Sequence, residues 1–178
     1  NKNLLSSNLA VENLIDWCSR EYPRYLDRYE LIERLQKQNM LLRVYGKGWK
    51  NKIEFKDIYF GELTDLKSLL NVYANSKINI SNNTHGLGLH SRVFECMAVG
   101  GFLLTHKSPN DLLPGGILTE FEENKHFAFF NKDSLEDDIQ KWLKNKNERE
   151  KITLNAKKII LKKHLWKHRA IQIINDLK

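Results

Sequence analysis

The sequence contains little cysteine and proline, and it has no long apolar run. Its 178 residues include two cysteines and three prolines. Cys18 and Cys96 lie far apart and match no disulfide or zinc pattern, so we expect a reducing compartment and a cytoplasmic protein. No segment approaches the roughly 18 apolar residues of a transmembrane helix, and the N-terminal part lacks the apolar core of a signal peptide. The composition therefore favours an ordinary globular domain.

Several motifs of metal and phosphate sites are also missing. No Asp-x-Asp occurs, so we expect no metal that clamps a diphosphate. The glycines at positions 46 and 48 are not followed by the Gly-Lys-Ser/Thr of a P-loop. His164 and His168 are one helical turn apart but lack a third ligand, so we expect structural or interface histidines. Cys96 has no predicted base beside it and is interpreted as a core residue.

The segment that organises the chain is Lys77–Thr105, KINISNNTHGLGLHSRVFECMAVGGFLLT. A β-branched run over Lys77–Ser81 predicts a strand, and a polar loop that contains glycine follows it. The next helix is expected to begin near His90 and to end at Gly100, before a second strand over Phe102–Thr105. This order is the unit of a parallel α/β sheet, in which ligands bind beyond the carboxyl ends of the strands.

The rest of the chain also mixes helices and strands. Helical spacing or caps predict helices at Leu9–Cys18, Tyr25–Gln38, Asp65–Ala74, Ser134–Leu143, Glu148–Lys163 and Leu165–Leu177, with a brief helix beginning at Ser108–Asp111; strands are predicted at Met40–Tyr45, Asp57–Phe60 and Phe127–Phe130. We therefore predict an α/β fold with a Rossmann-like parallel sheet flanked by helices. Residues 1–178 are expected to form one domain, with a helical lead-in at 1–38, a core at 39–145 and basic helices at 146–178.

Positive charge is concentrated near the C-terminus. The chain carries a net charge of +7, and residues 141–178 hold twelve Lys/Arg against three Asp/Glu. Such a segment is able to meet nucleic acid, an anionic membrane surface or an acidic partner. We favour the simpler interpretation that it is a solvated helical face.

Two groups of residues are candidates for binding chemistry. Gly46-Lys47-Gly48 follows a predicted strand, where backbone N–H groups are able to approach a phosphate while Lys47 neutralises its charge; a plain turn explains the glycines equally well. Arg92 and Glu95 lie at i and i+3 at the start of the helix after the Lys77–Ser81 strand. A carboxylate there is able to accept hydrogen bonds from ribose hydroxyls, and an exposed ion pair is the structural alternative.

The motifs in this order resemble those of one family. Arg92–Thr105, RVFECMAVGGFLLT, resembles the Arg-x-Phe-Glu-x-x-Ala-x-Gly-x-x-x-Leu-Thr signature of group 1 glycosyltransferases of the spore maturation protein (CgeB-like) type. Tyr45–Trp49 is similar to the family's Tyr-Gly-x-Gly-Trp segment, and Tyr59–Gly61 begins a similar strand–helix–strand block. HLWKHR at 164–169 resembles its terminal His-Thr-Tyr-x-x-Arg. The resemblance covers about residues 40–175.

This resemblance implies the C-terminal, donor-binding half of a GT-B glycosyltransferase. It implies that Glu95 binds donor hydroxyls, that Arg92, its helix N-terminus and the Gly46–Gly48 loop hold the diphosphate, and that Gly61 and Glu62 lie near the base. The implied donor-binding residues are Gly46, Lys47, Gly48, Trp49, Gly61, Glu62, His90, Ser91, Arg92 and Glu95. The expected ligand is a nucleotide diphosphate sugar, without metal or other cofactor.

The chain also departs from the family pattern. Leu87 stands where related group 1 enzymes have the first of two glutamates, eight positions apart. A helix replaces the strand expected before Tyr25, so Arg24 and Arg28 are candidates for the basic residue that this strand often contributes. The acceptor half would be an N-terminal domain of the full-length protein, so we name no catalytic residue and do not expect this chain to be active alone.

Two further hypotheses compete with donor binding. The chain is alternatively a non-catalytic α/β module that docks a partner, nucleic acid or a membrane surface through its basic C-terminal helices; of these, nucleic acid is not expected as a partner. The same helices are alternatively a packing surface for the N-terminal domain.

Overall fold

The computed structural model describes residues 2–38, 40–83 and 88–177. The chain splits into two compact units, Asn1–Gly61 and Glu62–Lys178. The predicted division into one domain with boundaries at 38 and 145 stays a prediction. The helices are α1 (Lys2–Asp16), α2 (Tyr22–Gln36), α3 (Leu66–Asn75), α4 (Ser91–Ala98), α5 (Leu135–Lys144), α6 (Lys146–Lys163) and α7 (Trp166–Asp176), and the strands are β1 (Asn79–Ser81), β2 (Leu103–His106) and β3 (Ala128–Phe130).

The first unit is built on a long helical segment. A π-helical turn, Trp17–Glu21, connects α1 to α2 without a break, and Pro23 occupies the first turn of α2. Proline has no N–H to donate, and the Tyr22 N–H just before it donates to the Trp17 carbonyl, one residue further back than in an α-helix. The separate helices predicted at Leu9–Cys18 and Tyr25–Gln38 are therefore wrong, because Pro23 does not interrupt the helical segment. A 3₁₀ turn, Ile53–Phe55, is pinned to α2 by the Tyr29 hydroxyl, which donates to the Glu54 carboxylate at 2.8 Å.

The strands predicted in this unit are not formed. Met40–Tyr45 and Asp57–Phe60 are reduced to one parallel bridge between Val44 and Tyr59. Leu41 is 89% exposed, so the apolar run is not a buried strand. The N–H of Ile58 donates to the Phe55 carbonyl in a turn, so only the carbonyl of Ile58, which accepts the Val44 N–H at 2.8 Å, takes part in the pairing.

The second unit contains a three-stranded parallel sheet in the order β1-β2-β3. Asn79 is in register with Leu103, and Leu104 with Ala128. α4 packs against β2, α3 and α6, while α5 packs against β3 and α6. The predicted fold class, a parallel α/β sheet flanked by helices, is confirmed. The core between these elements includes Val93, Met97, Leu103, Ile117, Phe121, Phe127, Ala156 and Ile160.

The predicted strand–loop–helix–strand unit is present with shifted ends. α4 begins one residue after His90, and Gly100, at φ +82°, follows its last turn. The next glycine, Gly101, is required for space: a Cβ there would lie 2.8 Å from both the Cys96 Sγ and the Tyr73 carbonyl oxygen. This close approach brings the C-terminal ends of α3 and α4 together beside β1. The part of the predicted loop at 84–87, with Leu87, lies outside the described residues.

The brief helix predicted from Ser108 does not form. The Asp111 carboxylate accepts the Ser108 N–H at 2.7 Å, and its carbonyl oxygen accepts from Leu118 N–H at 3.0 Å. A helix would need that carbonyl for Gly115, four residues on. The segment therefore folds into consecutive turns that end in a 3₁₀ turn, Ile117–Thr119.

Candidate functional site

The carboxyl edge of the sheet in the second unit is the natural place for a site. β1, β2 and β3 are parallel, so they end on one side, at Ser81, His106 and Phe130. α4 runs back along the sheet, so its N-terminus opens at the same edge. The first N–H groups of a helix have no partner inside it, and the side chain of His90 does not cap them. The Val93 N–H donates to the His90 carbonyl at 3.0 Å, so the N–H groups of Ser91 and Arg92 are the ones available to an anion.

The side chains at the start of α4 differ in how deeply they are buried. Val93, Cys96 and Met97 are buried, and Ser91 is exposed. The other exposed position is the N-cap, His90. Burial raises the pKa of Cys96 to about 12, which fits its predicted place in the core and gives it no thiolate at neutral pH.

Arg92 and Glu95 lie between these layers and are both half-buried. Neither side chain makes a hydrogen bond or an ion pair with another of the described residues. The structural alternative, an exposed ion pair between them, is thus not formed. A half-buried cation and a half-buried carboxylate that the fold leaves without partners are suited to a ligand with both phosphate and hydroxyl groups.

Tyr73 of α3 belongs to the same cluster. Burial raises the pKa of Tyr73, the nearby Cys96 and Glu95 raise it further, and the positive charge of Arg92 lowers it. A phenol hydroxyl therefore lies within electrostatic reach of both candidate ligand-binding groups. Sequence reasoning did not assign Tyr73 to the site.

The loop that leads into α4 is held by a buried polar pair, Asn83 and Asp111. Their side chains are 7% and 2% exposed, and the Asn83 amide donates to the Asp111 carboxylate at 3.3 Å. Burial raises the pKa of Asp111. The hydrogen bond from the Ser108 N–H and the charges of His106 and Lys107 act in the opposite direction and lower this pKa.

A second contact fixes the same loop. The N–H of Leu89, just before α4, donates to the Gly115 carbonyl at 3.1 Å. The turns at 108–116 therefore set where α4 begins. Sequence reasoning missed this pair; an aspartate three residues after Ser108 was the available signal, because such side chains often bind a nearby backbone N–H.

The other predicted residues lie mainly in the first unit. The N–H of Gly46 donates to the Gly61 carbonyl at 3.0 Å, so the structure brings these two residues together. Gly46, Gly48 and Gly61 have φ values of +115°, +90° and +95°, which favour glycine, and nothing lies within 4 Å of a Cβ at any of them. Lys47 is exposed.

Trp49 is half-buried and has a structural role in this loop. Its ring stacks on Tyr25 at 6.1 Å between centroids and meets the edge of Phe55 at 5.8 Å. These contacts attach the loop to α2 and to the 3₁₀ turn. Arg24, one candidate for the missing basic residue, is instead paired with Glu21 at 3.0 Å.

Glu62, the first residue of the second unit, is exposed. The role of the residues at 46–49, 61 and 62 as one site with the start of α4 stays a prediction.

His164 supports α4 from behind. Its side chain is 2% exposed, and its ring lies 5.4 Å from Phe94 and 5.1 Å from Phe121. The Arg169 guanidinium only donates hydrogen bonds, and its Nη2 lies 3.4 Å from the His164 Nδ1. The Nδ1 is therefore the unprotonated nitrogen that accepts, and the ring proton is on Nε2. That Nε2 has no hydrogen-bond partner and lies 3.8 Å from a Glu120 carboxylate oxygen.

The expectation of a structural histidine therefore fits this environment, and burial lowers the pKa of His164. His168 is engaged elsewhere, because its Nδ1 accepts the Leu165 N–H at 3.0 Å. Over residues 2–38, 40–83 and 88–177, no group of three or more His, Cys, Asp or Glu is placed to hold a metal ion. No helix in the same ranges is long and apolar enough to cross a membrane.

Comparison with known proteins identifies the family of the chain. A family model described as glycosyl transferase-like matches residues 24–175, which is most of the chain and includes parts of both units. The chain has no significant match among curated proteins.

Proposed function

The chain belongs to the glycosyl transferase-like family, so its general role is in glycosyl transfer, and we propose that it binds the nucleotide diphosphate sugar donor. The finer features of this proposal are a GT-B enzyme of the CgeB-like type, an acceptor-binding domain elsewhere in the full-length protein and a cytoplasmic location. The resemblance of Arg92–Thr105 and of the flanking motifs supports the first two. The two cysteines, free and unpaired, support the third.

The observation that carries the proposal is the unpartnered state of Arg92 and Glu95 at the start of α4. Isolated buried charges are costly, so two charges that are half-buried without a hydrogen-bond or ion-pair partner among residues 2–38, 40–83 and 88–177 gain when a ligand binds them. A nucleotide diphosphate sugar offers an anionic diphosphate and several hydroxyls on one molecule. It therefore complements both side chains at once.

The proposed roles follow from the charges of these groups. Arg92 and the first N–H groups of α4 hold the diphosphate and stabilise the negative charge that develops on it as the sugar leaves. The Glu95 carboxylate accepts hydrogen bonds from ribose or sugar hydroxyls. Since these groups supply positive potential themselves, we expect donor binding without a divalent metal. The Gly46–Trp49 loop, Gly61 and Glu62 are further candidates for the same ligand.

Calorimetric titration with UDP, GDP, dTDP and ADP tests the proposal. We expect one of them to bind, with equal affinity in excess magnesium and in excess chelator. Glu95→Ala should weaken binding by roughly 1–3 kcal/mol, as expected for a charged hydrogen-bonding group, and Arg92→Ala by a similar amount. Glu123→Ala, an exposed carboxylate outside the cluster, is the matched control and should leave affinity unchanged.

Absence of binding to all four nucleotides by a folded sample would contradict the proposal. That result would favour the second candidate, a non-catalytic module, which the excess of positive charge in residues 141–178 supports. Equal affinities of Glu95→Ala and the native chain would remove Glu95 from the site but leave donor binding intact.

A further inference from the structure

Helix α7 carries its apolar side chains on its outer surface. Trp166 is 89% exposed, Ile173 59% and Leu177, directly after the helix, 82%. Positions 166, 170, 173 and 177 follow the spacing of one helical stripe, and Ile174 lies beside it. The α7 apolar face is defined here as Trp166, Ala170, Ile173, Ile174 and Leu177.

Two side chains in the first turns of α7 hold the helix to its unit. His168 and Arg169 are half-buried, and Arg169 reaches His164 at the end of α6. A surface helix normally turns its apolar stripe inward and its polar side outward. α7 departs from this pattern, because residues 170–177 are all exposed and its apolar stripe is not turned inward. Single exposed apolar residues need no explanation, but a contiguous apolar stripe marks a surface that another body covers.

Lysines beside this face indicate which kind of body it is. Lys162, Lys163 and Lys167 are exposed and lie within four positions of Trp166. They belong to the segment 141–178, whose net charge is +9 from twelve basic and three acidic residues. The combination of a tryptophan, an aliphatic stripe and flanking lysines is typical of helices that lie in the interface of an anionic bilayer.

Other partners fit the α7 apolar face less well. A nucleic acid backbone would engage the lysines but would leave the isoleucine and leucine side chains in water. Protein interfaces are depleted in lysine at their centres. A bilayer uses both features, because the aliphatic side chains enter the acyl boundary while the lysine stems extend to the headgroup phosphates.

We propose that α7 docks the chain on an anionic lipid surface. Trp166, Ile173 and Leu177 enter the boundary between headgroups and acyl chains, and the three lysines contact lipid phosphates. None of these residues belongs to the candidate site at the start of α4, so different variants test membrane docking and nucleotide binding. For a transferase, it would place the donor site next to acceptors at a membrane.

Co-sedimentation with lipid vesicles tests the proposal. The chain should bind vesicles of phosphatidylcholine that contain about a third phosphatidylglycerol, should not bind pure phosphatidylcholine, and should dissociate as salt rises. Each lysine near such a surface strengthens binding about fivefold, so Lys162→Gln/Lys163→Gln/Lys167→Gln should weaken it about a hundredfold. Lys50→Gln/Lys56→Gln/Lys77→Gln removes the same charge from other exposed positions and should have little effect.

A second pair of variants tests the apolar contribution. Ile173→Ser/Leu177→Ser should weaken vesicle binding by at least about tenfold, because two aliphatic side chains no longer leave water. Leu112→Ser/Leu113→Ser changes two similarly exposed leucines in the turns before Gly116 and is the matched control. All of these positions are exposed, so an unfolding curve for each variant should match that of the native chain.

The location of Trp166 gives a measurement on the native chain itself. Lipids with a quencher at the acyl boundary should reduce the tryptophan emission, and this reduction should disappear in Trp166→Phe. No binding to the mixed vesicles would overturn the proposal, as would equal losses in the α7 variants and their controls. Binding to a DNA or RNA oligomer but not to vesicles would assign the lysines to nucleic acid instead and would also overturn it.

Discussion

Substitution of Gly116 by alanine should disturb the support of the candidate site without touching a charged group. Gly116 has φ −77° and ψ 152°, a conformation that alanine adopts without strain. The obstacle is space. A Cβ at this position would lie 2.2 Å from the Asp111 carbonyl oxygen, 2.5 Å from its carbon and 2.6 Å from the Asn110 carbonyl oxygen. All three atoms are backbone, so no side-chain rotation relieves the overlap.

The loss of stability in Gly116→Ala follows from the backbone movement that the added methyl group requires. Real Cβ contacts essentially never fall below 3.0 Å, so the two segments must separate by about 0.8 Å. Overpacking of this kind costs about 1–3 kcal/mol. The same Asp111 carbonyl accepts the Leu118 N–H at 3.0 Å, and its loss adds about 1 kcal/mol. The stiffer unfolded chain offsets about 0.4–1 kcal/mol, so we expect a net loss of about 1–3.5 kcal/mol.

Chemical denaturation of Gly116→Ala and of a control should separate crowding from backbone conformation. Gly100→Ala is suitable because Gly100 has φ +82° but nothing within 4 Å of its Cβ position. It should lose about 1 kcal/mol from conformation alone. Nucleotide affinity should fall in Gly116→Ala, because Gly115 binds the loop before α4. A Gly116→Ala variant as stable as the native chain, or more stable than Gly100→Ala, would refute this account of the turns.

Three more predictions concern single side chains. Glu95→Gln should leave the free energy of unfolding within about 0.5 kcal/mol, because no described residue loses a partner; a larger loss by denaturation would mean that Glu95 serves the fold. Burial lowers the pKa of His164 and of His126 below 6.5, so the unfolded chain binds protons that the native chain does not. The contribution of these two histidines to stability should be fully present above about pH 6.5 and should be lost as the pH falls through their lowered native pKa values. In denaturation curves at stepped pH, His164→Gln should reduce the dependence of the free energy of unfolding on pH. An unchanged dependence would contradict the assignment. Mass spectrometry after iodoacetamide treatment should find one adduct on the native chain, at exposed Cys18, and two adducts after unfolding. The reason is that burial raises the pKa of Cys96 to about 12. Two rapid adducts on the native chain would contradict this prediction.

Local signals in the sequence were sufficient for the central unit of the fold. The runs at 77–81 and 102–105 predicted β1 and β2, and Gly100 marked the end of α4. Asp65, predicted to start a helix, caps α3 by accepting the Ser68 N–H at 2.8 Å. Each of these features depends on residues within a few positions of one another, and this is where pattern and propensity are informative.

The errors lie where pairing depends on distant residues. Met40–Tyr45 has the composition of a buried strand, but composition does not show whether a neighbouring strand is available. In the structure, the first unit offers Val44 one bridge, to Tyr59, and leaves Leu41 exposed. Likewise, Ser108–Asp111 has the sequence of a helix start. Its continuation was prevented by a hydrogen bond from Leu118, which no local pattern indicates.

The candidate site divides in the same way. Arg92 and Glu95 were predictable because both stand on one short helix at the end of a predicted loop. Tyr73 and the Asn83–Asp111 pair were not, because the first comes from a different helix and the pair joins loops after two different strands. Sequence reasoning therefore named candidate ligand-binding groups on one helix but not the residues from other elements that lie around them.

The contrast between these two sets of residues supports a binding role for the first. Asn83 and Asp111 are buried polar groups that satisfy each other, as folding stability requires. Arg92 and Glu95 lie on the adjoining helix, and the described part of the chain gives them no partner. A chain that pairs its buried polar groups a few residues away has no structural need to leave a cation and a carboxylate unpaired at a helix N-terminus. If Arg92→Ala and Glu95→Ala are as stable as the native chain but bind nucleotide more weakly, these charges serve the ligand; if both variants unfold more easily and bind equally well, they serve the fold.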